Sequence, residues 1–97
     1  MASKVKTKPT ALTFQITFLV ELDKHSYHAW APMLPGLHAD GATVKGALKN
    51  ACDLAQLYLE TLIEDGAPIP LGPDTQTPYT IPSGAIAYRE SVTVSAV

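Results

Sequence analysis

Few residues in this chain are of a type that does chemistry, and their spacing does not favour it. His25, His28 and His38 are the three histidines. No two share a helix, and neither H-E-x-x-H nor G-x-S-x-G occurs. His28 and His38 could approach each other across neighbouring strands, with Asp40 as a third donor. Solvated histidines near turns are the simpler account, so no metal and no cofactor are expected. Cys52 is the single cysteine, which excludes an internal disulfide and a cysteine cluster. It falls beside an apolar helical stripe and reads as an inert, buried thiol. Pro35-Gly36 and Asp40-Gly41 precede a helix start, a place that can hold an anion. They lack the phosphate-loop spacing, and Asp40 would repel phosphate, so these glycines read as turn residues. Metal-assisted nuclease chemistry needs carboxylates converging from strands. The first strand carries Glu21 and Asp23 at its end and none at its centre. The chain therefore reads as a binding protein and not an enzyme.

These residues must be positioned by one helix, predicted over Thr43 to Asp65. Val44, Ala47, Leu48, Ala51, Ala55, Tyr58, Leu59 and Leu62 recur at helical spacing and make one stripe. Lys45, Lys49, Asp53, Gln56, Glu60 and Glu64 line the other side. Thr43 stands where an N-cap belongs and Gly66 where a left-handed C′ residue belongs. Pro68 and Pro70 bar continuation.

The partner of that stripe is a strand at residues 11–22. Leu12, Phe14, Ile16, Phe18, Val20 and Leu22 point one way; Thr13, Gln15, Thr17 and Glu21 point the other. Asp23 to Ser26 reads as a hairpin turn into a second strand at Tyr27 to Ala31. Leu37 to Ala39 reads as a brief third strand. Residues 67–84, with five prolines, read as an irregular crossover. Ala85 to Val97 returns as a last strand. The expected fold is α+β, in the order β-β-β-α-β, with one long helix on one face of a small antiparallel sheet. Residues 11–97 form a single domain behind a basic tail at residues 1–10.

The 97 residues are 46% hydrophobic, with a net charge of −2, so the chain is globular and no direct nucleic-acid ligand is expected. Residues 12–74 set three lysines against eight acids, a local charge of −5. An acidic body suits a basic partner. Nothing approaches the roughly 18 consecutive apolar residues a membrane span needs. The single thiol fits a cytoplasmic location.

Several residues break the amphipathic pattern and mark candidate contacts. Leu57 falls on the polar side of the helix among Asp53, Glu60 and Glu64, as an apolar anchor for a basic partner. The Pro32–Asp40 loop is the second candidate, because its prolines would hold Met33 and Leu34 rigidly outward. Leu19 falls on the polar side of the first strand, and Trp30 alternates with Ala29 and Ala31. Both could mediate self-association through a sheet face that the single helix leaves bare, so a homo-oligomer is expected.

The middle of the chain resembles the HicB-type antitoxin domain of toxin–antitoxin pairs. The residues are Tyr27, Ala29, Pro32, Leu34-Pro35-Gly36, Gly41 and Thr43, then Ala47-Leu48, Asn50-Ala51, Tyr58-Leu59, Leu62, Glu64, Gly66 and Ile69-Pro70. The ordered set covers about residues 12–70. The resemblance implies a reduced ribonuclease H-like fold without catalytic acids. It also implies a small basic RNA-cleaving HicA-like toxin as partner, blocked by binding. A C-terminal DNA-binding domain is common in the family and is not expected here. The chain departs from the pattern at Lys45 and Gly46, where acids are frequent, and at Met33 in the P-x-L-P-G turn. Two further readings stay open: a solitary, oligomeric HicB-like module with another partner, and a divergent ribonuclease H-like nuclease using Glu21 or Asp23.

Overall fold

A computed structural model of the protein describes residues 11–70 and 80–95. The basic tail and most of the proline-rich crossover lie outside the described residues. The elements are β1 (Ala11–Asp23), β2 (Ser26–Trp30), β3 (His38–Gly41), α1 (Val44–Asp65) and β4 (Ile86–Ser95). They build a four-stranded antiparallel sheet in the order β3-β2-β1-β4, with α1 on one face, as the apolar patterning predicts. β1 pairs with β4 from Ala11 to Val20 and with β2 from Leu19 to Asp23. Lys24 and His25 form the two-residue hairpin turn, with Lys24 at φ 62°.

The helix ends follow from their residues. The Thr43 hydroxyl accepts from the Gly46 N–H at 2.9 Å, satisfying one of the free donors of the first turn. Gly66 takes φ 67°. Its N–H donates to the Ile63 carbonyl at 3.1 Å, and the Ala67 N–H to that of Leu62 at 2.9 Å. This is the paired C-terminal closure that a left-handed residue permits.

Four helix residues are fully buried: Ala47, Ala51, Ala55 and Leu59, each four positions from the next. Three alanines let the helix backbone approach the sheet closely, and the larger residues of the sheet supply the volume. Ile16, Phe18 and Val20 of β1, Ala29 of β2, Ala39 of β3, and Val92 and Val94 of β4 meet that row. The two ends of the β1 apolar row reach past the covered region, so Leu12 and Leu22 are exposed where the period alone places them in the core.

Two sequence expectations need correction. Leu34 is 0% exposed, not held outward. Its N–H donates to the Ala31 carbonyl and its own carbonyl accepts from the Leu37 N–H, at 3.0 and 3.1 Å. These successive turns fold the segment between the prolines inward, and Leu34 joins the core while Met33 stays half-buried. Leu19 does lie on the face away from α1, but it too is 0% exposed. Trp30 flanks it in register on β2 and Ala87 on β4. A residue already covered within its own chain is no free surface for self-association, which leaves half-buried Trp30 of that pair.

Candidate functional site

The exposed face of α1 carries the apolar anchor that the sequence picks out, and a second beside it. Leu57 is 61% exposed and Leu54 is 42% exposed. Both lie against the segment that leads into β3. Together with Gly36, Leu37, His38, Tyr58 and Thr61 they line an open groove of about 230 Å³. A neighbouring groove shares His38 and Leu54 and continues along Ala39, Asp40, Asn50 and Asp53. The two make one furrow between helix and edge strand, apolar at one end and acidic at the other.

Each wall is fixed by a polar tie. The Tyr58 hydroxyl donates to the Pro35 carbonyl at 3.2 Å, holding the proline turn against the helix. Nδ2 of Asn50 donates to the Asp40 carbonyl at 2.8 Å, capping an acceptor that edge strand β3 would otherwise present to solvent. Asp53 pairs with Lys49 at 3.0 Å, four residues away on the helix surface. That pair is exposed and contributes little to stability, so Lys49 can be exchanged for a cation from outside. Glu60 is half-buried and accepts from Gln56 Nε2 at 3.4 Å; Glu64 is exposed at the far end. Leu57, Asp53, Glu60 and Glu64 thus remain on the outer side of α1, and Met33 and Leu34 lie in the turn below it. Leu54 was not singled out from the sequence, although its position three before Leu57 places it beside that residue.

Among the described residues the reactive groups lie apart from one another, the His28, His38 and Asp40 row excepted. Among the described residues no group of three or more His, Cys, Asp or Glu converges on a metal position. Glu21 and Asp23 end β1, away from the helix acids. Cys52 is half-buried in a separate groove with Val44, Lys45, Leu48, Lys49 and Glu90. Burial raises its thiol pKa, and the carboxylates of Glu90 and Asp53 push the same way. Among the described residues no helix is long and apolar enough to cross a membrane.

No protein-family model matches the chain. A curated relative does: the UPF0150 protein ssr1765 of Synechocystis sp. is 38% identical over 58 residues, covering 59% of this chain and 73% of the relative. The chain belongs to the UPF0150 family. Solved structures place the fold of this UPF0150 protein among HicB antitoxins. The N-terminal domain of Burkholderia pseudomallei antitoxin HicB superposes with a TM-score of 0.61 at 25% identity, over 81% of this chain and 98% of that one. The longer B. pseudomallei HicB gives 0.59 at 24% identity, and this chain spans 61% of its length. A chain of a HicA3–HicB3 toxin–antitoxin complex shares the fold at 0.53 and 18% identity, over 84% of this chain and 95% of that one. The domain is of the HicB type, as the ordered motifs from Tyr27 to Pro70 imply.

Proposed function

We propose that this UPF0150 protein is a HicB-like antitoxin that neutralises a small, basic, RNA-cleaving toxin by binding it. The observation that carries this is the furrow between α1 and β3. It offers two exposed leucines, Leu54 and Leu57, in line with Asp53, Glu60 and Glu64 of the same helix, within a HicB-type fold. The leucines supply desolvated contact, and the acids steer a basic partner and fix its register. The protein works by occlusion and contributes no catalytic group of its own.

The test is a titration calorimetry experiment. A small basic protein encoded next to this one is purified and titrated against the UPF0150 chain, and its ribonuclease activity is assayed with and without it. Stoichiometric binding that abolishes RNA cleavage is expected. A neighbouring protein that cleaves RNA undiminished in the presence of the chain sinks the proposal.

A further inference from the structure

On the sheet face opposite α1, β2 and β3 bring two histidines and an aspartate into one hydrogen-bonded row. We propose that His28 and His38 form a two-histidine site for a divalent transition metal of the imidazole-preferring kind, such as Zn2+ or Ni2+, with Asp40 as the positioning residue. The antiparallel register sets His28 opposite Asp40, and Trp30 opposite His38. His28 Nε2 and His38 Nδ1 stand 3.0 Å apart. Two imidazole nitrogens on one tetrahedral zinc, each at about 2.0–2.1 Å from it, are roughly 3.3–3.4 Å apart. Widening that separation by a few tenths of an ångström, with the His38 ring turned off the line between the two nitrogens, converts the contact into a ligand pair.

The His28 tautomer favours it, while His38 Nδ1 donates in the 3.0 Å contact and must hand its proton to Nε2 to become a ligand. Asp40 Oδ1 lies 3.2 Å from His28 Nδ1. An ionised carboxylate only accepts, so in the neutral ring the proton stays on Nδ1 and Nε2 presents its lone pair. A carboxylate behind a ligating histidine is the usual outer-shell partner; it orients the ring and raises its basicity. The Trp30 ring stacks on His28 at 5.3 Å between centroids, with an interplanar angle of 24°, which limits rotation of the imidazole. Glu21 faces His28 from β1 and adds negative charge on the same face. Because no third donor converges here among the described residues, solvent completes the coordination. The ion is therefore exchangeable, unlike one held in a closed four-ligand structural site.

Trp30 is the chain's single tryptophan, so its emission reports on this row directly. The full chain, carrying Cys52→Ser to remove its one thiol, is titrated with NiCl2, whose paramagnetic ion quenches a stacked indole. Saturable quenching that EDTA reverses is expected, and Zn2+ alone should give a calorimetric isotherm of about one ion per chain. His38→Ala should weaken both by at least tenfold. His28→Ala should do the same, and the His38 variant carries the test if loss of the Trp30 stack alters the fold. Asp40→Asn should weaken binding by about 10–100-fold, the usual effect of losing an outer-shell partner. His25→Ala, in the hairpin turn, should bind as the parent does. Emission that does not respond to Ni2+, or quenching that survives His38→Ala in a chain with unchanged circular dichroism, overturns the proposal.

Discussion

Gly41 and Ala47 meet backbone to backbone. A β-carbon built on Gly41 would lie 2.3 Å from the Ala47 amide nitrogen and 2.8 Å from its α-carbon. Here the last residue of β3 is pressed against the first turn of α1, and the obstructing atoms are main chain, which cannot rotate aside. Gly41→Ala must therefore push the helix start off the sheet. Overpacking of this kind costs typically about 1–3 kcal/mol, and the immobile neighbour puts this site at or above the upper end. Urea denaturation should show a clearly lowered midpoint with the slope unchanged.

Gly46 is a different case. A β-carbon there would meet only the Thr43 hydroxyl, at 3.2 Å. Replacing a helical glycine by alanine is worth about 1 kcal/mol from propensity. That hydroxyl also accepts from the Gly46 N–H, so moving it weakens the cap. Gly46→Ala should gain less than about 1 kcal/mol in the parent and the full amount when Thr43 is also replaced by Gly. A double-mutant cycle on the two positions measures the difference; strict additivity would mean that Thr43 gives way freely.

Leu57→Asp should leave the fold intact, because the side chain is mostly in solvent. Toxin affinity should fall by at least about 1 kcal/mol, and Leu54→Asp should act in the same direction. Reversing Glu60 and Glu64 to Lys should slow association and flatten its dependence on salt. Stopped-flow and calorimetry separate these effects. Parent-like affinity in all of these variants would move the contact away from the furrow.

Cys52 gives the pH-dependent prediction. Burial and the nearby carboxylates of Glu90 and Asp53 disfavour its thiolate, so the folded-state pKa is raised. The thiolate is the species that reacts. Thiol titration with a disulfide reagent should be slower in the folded protein than with a free thiol at neutral pH. The rise in rate with pH should be displaced upward. Adding denaturant should remove both differences.

The parts of the fold legible in the sequence are those fixed by local chemistry. Thr43 and Gly66 bound α1 through hydrogen bonds to residues a few positions away, and the alanine row at four-residue spacing names its buried face. Leu57 is legible for the same reason, as an apolar residue out of phase on a helix whose phase is clear. The burial of Leu34 and Leu19 is not legible, because it is decided by distant neighbours. Two prolines around Leu34 say that the ladder stops, not which way the intervening turns face. The period of β1 puts Leu19 on the correct face but says nothing of its burial there, beside Trp30 and Ala87 on the neighbouring strands. Leu54 needed the position of the Pro35–His38 segment before it became one wall of a groove. The row of His28, His38 and Asp40 depends on the β2–β3 register, which residue types alone do not set.

In β1, Leu19 and Val20 are the two residues with ladder partners on both sides, in β2 and in β4. The ten-residue run toward Ala11 leans on β4, and the hairpin end leans on β2. Each of their amides bonds to one neighbouring strand, and the strand on the other side pins the same residues in place, whereas the rest of β1 has a paired neighbour on one side only. Native-state hydrogen exchange should therefore fall into tiers, with protection greatest at Leu19 and Val20 and close to that of global unfolding. The buried leucine on the bare face then has a role unconnected with partners. It sits where the β1–β2 hairpin and the long-range β1–β4 pair overlap, so that the domain opens as one cooperative unit.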